Sequence, residues 1–216
     1  MKNSKINKLT TIGILSALAI ILALAFGIPI IPAAPFLKYD PKDVIIVIGA
    51  FIYGPHASVI MSSICAVLEV VFKGGNIIDI IMNIVASCAF CCGASFVYKL
   101  NKTKKGAVLG LGTGIVLMVI TMAIWNYIFT PIYTGMPRAT VAAMIPTVII
   151  PFNLIKAVLN ASLTLILYKR VVNFLRSKDL IESSYSSESK SSYLTLLGVI
   201  VFVTIVCIVL ILKGII

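Results

Sequence analysis

Apolar residues run almost unbroken through most of the chain, interrupted only by short clusters of lysine, glycine, proline or serine. Blocks of about 18 or more residues with few charges predict helices that cross a membrane. The pattern places such blocks at about 9–28, 44–54, 56–72, 76–98, 106–130, 151–173 and 193–212. The second block is short, and Gly54-Pro55 ends it, which predicts a tight hairpin with the third. Gly74-Gly75 separates the third from the fourth, and the basic segment 99–105 separates the fourth from the fifth. Residues 139–173 are too long for one crossing of about 20 residues. Pro146 and Pro151 divide that stretch, and proline suits a first helical turn, where its missing donor has no partner to lose. The sixth helix is therefore expected to start near Pro151, with 139–150 a broken piece packed over its end. Residues 177–192 (SKDLIESSYSSESKSS) read as a serine-rich linker. Tyr193 then opens a last apolar helix, expected to be an anchor or partner-contact helix that faces lipid. The predicted organisation is an all-α polytopic membrane protein, with a six-helix membrane unit over 1–176, the linker 177–192, and an additional transmembrane helix within 193–216.

Composition supports the class. The 216 residues are 60% hydrophobic and 12% charged, with a mean hydropathy of +1.12, whereas soluble domains are about a quarter charged. The net charge of +11 invites comparison with nucleic-acid binders. Its distribution argues otherwise. Basic residues gather at Lys2, Lys5 and Lys8, at Lys99, Lys102, Lys104 and Lys105, and at Lys169, Arg170, Arg176, Lys178 and Lys190. These are alternate ends of the predicted spans, so the positive-inside rule makes the amino terminus cytoplasmic. The intervening loops hold only Lys38, Lys42, Lys73 and Arg138, with Lys213 at the far end. Anionic lipid headgroups, with no nucleic acid, account for the excess. The block 9–28 is long for a signal peptide and lacks a cleavage pattern, which makes it a retained helix. The five cysteines lie in apolar segments, and Cys88-x-x-Cys91 has no second pair nearby, which favours packing over metal or redox chemistry.

Enzyme signatures are absent from the sequence. There is no phosphate-binding G-x-x-x-x-G-K-[ST] loop, and His56 is the only histidine. No catalytic residue, metal site or cofactor is expected. Gly110-Leu-Gly-Thr-Gly114 lies within a span, where glycine reads as a helix-packing contact.

The intramembrane polar residues carry more information: Glu69, Asp79, Asn83, Asn126, Asn153, Lys156 and Asn160. Asn153, Lys156 and Asn160 fall at i, i+3 and i+7, on one helical face. A lysine at membrane depth costs about 3 kcal/mol on insertion scales, so it faces a cavity or a counter-charge. One reading makes Lys156 a helix-locking ion pair with Glu69 or Asp79 in a structural membrane protein. The other opens it, with the asparagines, onto a polar ligand; carboxamides both donate and accept, which suits a heterocycle of alternating carbonyl and imide groups. Trp125, Tyr127, Phe129, Tyr133 and Phe152 form an interfacial aromatic belt or stack on a flat ring. Gly13-x-x-x-Ala17 and Ala19-x-x-x-Ala23 permit close helix approach, within the molecule or to a partner.

Four stretches resemble a known family: residues 35–43 (PFLKYDPKD), 49–55 (GAFIYGP), 125–127 (WNY) and 150–156 (IPFNLIK). They are similar to the substrate-binding S-components of energy-coupling-factor (ECF) vitamin transporters, most specifically the riboflavin type, over roughly residues 9–175. The resemblance implies a six-helix fold in a bacterial cell membrane, no ATPase of its own, and one vitamin site near the outer face. It implies that Asn126, Asn153 and Lys156 hydrogen-bond riboflavin and that Tyr39 and Asp40 help to close the pocket. It implies docking through Gly13, Ala17, Ala19 and Ala23 onto a transmembrane coupling subunit that works with two ABC-type ATPases. An S-component for another small vitamin or precursor shares most of these features. The seventh helix departs from the family pattern.

Overall fold

A computed structural model describes residues 2–32, 34–178, 180, 200–206 and 209. The apolar blocks become helices α1 (Lys2–Ala25), α2 (Lys42–Tyr53), α3 (Pro55–Lys73), α4 (Ile77–Leu100), α5 (Lys104–Thr134), α6 (Arg138–Met144) and α7 (Ile150–Ser177). A two-residue antiparallel ladder, β1 (Ile28–Pro29) on β2 (Lys38–Tyr39), ties off the segment between α1 and α2. Among the described residues, five helical stretches are long and apolar enough to cross a membrane: Lys5–Ala25, Pro55–Lys73, Ile77–Leu100, Lys104–Thr134 and Arg138–Leu175.

Two expectations change. The block at 44–54 is not a lipid-facing span. Helix α2 has 12 residues, about 18 Å at 1.5 Å per residue, against a hydrocarbon layer of about 30 Å. Every residue from Lys42 to Phe51 is buried, and α1, α3, α4 and α7 all pack around it. A helix enclosed by other helices is apolar on all sides for that reason. The second change concerns 138–177. The chain stays helical throughout, through a π turn at Ile145–Ile149, instead of starting a new helix at Pro151. Pro146 and Pro151 cannot donate to the preceding turn, and a π turn is where the regular ladder is already interrupted. The Ile150 N–H bonds to the Ile145 carbonyl across it.

Local chemistry sets the helix ends near the site. Gly74 and Gly75 have φ of 77° and 145°, a left-handed passage that glycine makes at little steric cost. Asn76 then caps α4: its Oδ1 accepts from the Ile78 and Asp79 N–H groups at 2.8 and 3.2 Å, and Asp79 Oδ2 accepts from Asn76 N–H at 2.8 Å.

The ends of α1, α3 and α5 and the starts of α2, α4 and α6 lie together with the 26–41 segment; this is called the cavity end below. At the opposite end the core is dry. Phe51 packs on Tyr98 at 4.4 Å between ring centroids, and Tyr168 meets Phe51 edge-on. Helices α4 and α5 touch most intimately at Gly110 and Gly114, where a side chain would run into the Ala94 and Phe90 carbonyls. Gly110 and Gly114 of the glycine run are thus packing contacts, while Gly112 faces open space. The predicted linker lies outside the described residues except for 177, 178 and 180, and the last helix except for 200–206, which are helical, and 209.

Candidate ligand-binding site

A cavity of about 390 Å³ opens at the cavity end, bounded by the 26–41 segment, α3, α4, α5 and α7. That volume suits a ligand of drug size. Its walls mix Met118, Met122, Phe129, Tyr133 and Phe152 with Asn126, Asn153, Lys156, Asp40 and Asn83. The 3.6-residue period of α7 delivers Asn153 and Lys156 to the cavity and Asn160 one level deeper, all three buried. Asn160 Nδ2 donates to Asp43 Oδ2 at 3.4 Å, and its Oδ1 is buried without a partner.

The counter-charge of Lys156 is Asp40, at 3.0 Å, and neither Glu69 nor Asp79. A chain of charges continues from it. Lys42, 1% exposed, lies 3.4 Å from Asp40 and 2.7 Å from Glu69 Oε2, and donates to Asn83 Oδ1 at 2.7 Å. Glu69 also accepts from Asn83 Nδ2 at 2.9 Å, and its second oxygen pairs with Lys73 at 2.8 Å. Lys73 in turn donates to the Ala23 carbonyl at the end of α1 at 2.7 Å. Asp43, the next residue of α2 and fully buried, accepts from Ser87 and Asn160. Formally, three ammonium groups face three carboxylates. Near-neutral balance is what makes so many buried charges tolerable. Burial alone would raise the Asp40 carboxyl, but Lys156 and Lys42 outweigh it and hold Asp40 well below the usual carboxylate range. It remains an anion at any physiological pH.

Lys42 and Asp43 are the residues that sequence reasoning missed. Lys42 reads as one more loop lysine in the charge asymmetry, yet it is the hub of the network. The available signal is the run Asp40-Pro41-Lys42-Asp43 set directly against a block of pure hydrophobics. Once α2 proves to be enclosed, charges at its first turn are necessarily inside.

Donor arithmetic shows what remains for a ligand. Asn126 Nδ2 donates to the Met122 carbonyl at 2.8 Å, while its Oδ1 accepts from Thr130 at 2.9 Å. Asn153 Nδ2 donates to the Ile149 carbonyl at 2.8 Å. A carboxamide carries two N–H bonds and an acceptor oxygen, so Asn126 keeps one N–H, and Asn153 keeps one N–H and its oxygen. Lys156 uses one of three donors on Asp40. These groups line the cavity from α5 and α7, interleaved with Met118, Met122, Phe129, Tyr133 and Phe152.

Other predicted residues separate. Lys38 and Asp40 line the cavity. Tyr39, between them, packs on the other side against Ile30, Phe152 and Leu159, with its hydroxyl buried and unpartnered. Alternation along an extended segment has this result. Of the aromatic group, Phe129, Tyr133 and Phe152 reach the cavity; Trp125 stacks on Phe129 at 4.8 Å, and Tyr127 is exposed beside Arg138. On α1, Ala19 and Ala23 are 0% exposed, in the bundle core, while Gly13 and Ala17 are exposed. The four do not share one free face in this conformation.

A family model for the ECF transporter, substrate-specific component, matches residues 7–168. The riboflavin transporter RibU of Staphylococcus aureus (strain TCH60) is 34% identical over 177 residues, covering 78% of this chain and 92% of that protein. The riboflavin transporter FmnP of Bacillus subtilis (strain 168) is 33% identical over 165 residues, covering 71% and 86%. A solved structure of the S component of a bacterial ECF transporter superposes with a TM-score of 0.68 at 32% identity, covering 80% of this chain and 99% of that one.

Proposed function

The chain belongs to the substrate-specific components of ECF transporters, and from that premise we propose that it captures riboflavin in the cavity between α3, α4, α5, α7 and the 26–41 segment. Such a component carries a substrate and catalyses no reaction. The observation that carries the ligand assignment is one cavity lined by Lys156, Asn153 and Asn126 together with Phe129, Tyr133 and Phe152, in a chain 34% identical to a riboflavin transporter.

The flavin ring is flat and apolar along most of its length, with carbonyl and imide groups at one edge. Spare N–H bonds on Asn126, Asn153 and Lys156 meet the carbonyls, and the Asn153 oxygen accepts from the imide. Asp40 holds Lys156 in place through their 3.0 Å ion pair. Phe36, Leu37 and Lys38, in the segment tied off by the β1–β2 ladder, cover the ligand.

The basic ends of the helices opposite the cavity support a cytoplasmic amino terminus. The cavity end then faces outward. Transport inward uses an ECF module of a transmembrane coupling subunit and two ABC-type ATPases, since the chain has no nucleotide-binding loop of its own. Gly13 and Ala17, exposed four residues apart on α1, offer the docking stripe. Ala19 and Ala23 serve core packing, so Ala17→Trp is the substitution that tests docking.

Purification from cells supplied with riboflavin tests the ligand. The expected result is a flavin absorption spectrum retained at close to one flavin per chain. A colourless protein that melts at a higher temperature with a different vitamin would replace riboflavin and keep the transport reading.

A further inference from the structure

The C-terminal helix has a sided surface. Phe202, Ile205, Val206 and Val209 recur at i, i+3, i+4 and i+7 and pack on the cluster of Ile30, Phe152 and Leu159, beside Leu37, Tyr39 and Ile155. On the other side, Ile200 and Val203 are 55% and 52% exposed. Two residues of this contact, Leu37 and Phe152, also line the cavity. Leu37 belongs to the segment over the ligand, and Phe152 is adjacent to Asn153. The family match ends at residue 168, so the helix adds to the shared fold a second layer behind two walls of its site.

We propose that Phe202, Ile205 and Val206 are positioning residues for ligand capture: the C-terminal helix backs Leu37 and Phe152 and holds the 26–41 segment closed over the cavity. This rests on the cavity being the vitamin site. In lipid the contact depends on close packing and not on exclusion of water. Truncating the packed side chains loosens the segment without removing any group that touches the ligand. The effect falls on release, where most affinity differences between related complexes reside.

The test uses the full-length chain with Phe202→Ala, Ile205→Ala and Val206→Ala combined, beside a control carrying Ile200→Ala and Val203→Ala on the opposite face. Amide hydrogen exchange of residues 28–39 is read without ligand, and riboflavin dissociation by recovery of its fluorescence. The triple variant is expected to exchange faster over 28–39 and to release riboflavin about five-fold faster, within the range that interface mutations move off-rates. The control is expected to match the parent in both. If the triple variant does not purify as a folded protein, Phe202→Ala alone is read in the same way, with a smaller rise expected. Unchanged exchange, unchanged release, or equal changes in variant and control would each overturn the proposal. Absence of riboflavin quenching in the parent would instead defeat the ligand assignment, and the exchange comparison would still decide whether the helix holds the segment.

Discussion

The two halves of the bundle solve opposite problems with the same helices. Away from the cavity, α2, α4, α5 and α7 meet through Phe51, Phe90, Tyr98 and the glycine contacts of α5, with side chains that fill space. At the cavity end, those helices carry Asn83 and Lys156, joined to Asp40, Lys42 and Glu69 by hydrogen bonds and ion pairs. They also carry Asp43, bonded to Ser87 and Asn160, and Asn126, bonded to Met122 and Thr130. The dry half tolerates no added volume. The charged half tolerates no lost partner, because each charge is held inside by its neighbours. A packed scaffold thus ends in a set of polar groups held in place by one another.

Substitutions can break this contrast from either side. The largest effect is expected in the dry half: Gly114→Leu drives a branched side chain into the Phe90 carbonyl, and overpacking against backbone exceeds the usual cost of about 1–3 kcal/mol. Loss of the monodisperse peak in size-exclusion chromatography is the expected readout. Next comes Lys42→Met, which leaves Glu69 and Asp40 short of a partner. Breaking a buried pair costs about 3–5 kcal/mol, so the melting temperature should fall by about 10 °C. An unchanged melt would show that Lys42 is not the hub. Asn126→Leu leaves the buried Thr130 hydroxyl without its acceptor, so the melt should fall, though by less than for Lys42→Met. Riboflavin should weaken about ten-fold, the effect of one unmet hydrogen bond, as a quenching titration would read.

The smallest effect is a pH dependence that does not occur. A carboxylate whose folded pKa is depressed stabilises the fold above its unfolded value of about 3.9 and loses that contribution only as pH falls through the folded value. Asp40 titrates well below the ordinary range. The difference in melting temperature between the parent and Asp40→Asn should therefore stay constant from pH 8 to pH 5. A difference that shrinks by pH 5 would mean that Lys156 and Lys42 hold Asp40 less tightly than the geometry implies.

Much of this was legible in the sequence. Apolar block length marked α3, α4 and α5 to within four residues at each end, and helical spacing on α7 singled out Asn153, Lys156 and Asn160. Missing were the features set by tertiary surroundings. A short apolar block reads alike whether lipid or protein surrounds it, so α2 passed for a span and Lys42 for a loop residue. Local rules stop a helix at Pro151, whereas neighbouring helices and a π turn carry it through. The partner of Lys156 lies 116 residues away, in a segment whose alternation sends Asp40 to the cavity and Tyr39 to the other side, against Ile30, Phe152 and Leu159, and no local pattern announces that pairing. On α1, the small residues look equivalent in sequence, and only packing divides Ala19 and Ala23 from Gly13 and Ala17.

The most direct measurement is a riboflavin fluorescence-quenching titration of the purified parent and of Lys156→Met, side by side at a temperature where both remain folded. The account predicts tight, saturable quenching near one flavin per chain in the parent and affinity about 100-fold weaker in the variant, as expected when a charged hydrogen bond is lost and its acceptor is left unmet. Equal affinity in the two proteins would contradict it, and would return Lys156 to the role of a strut between Asp40 and α7.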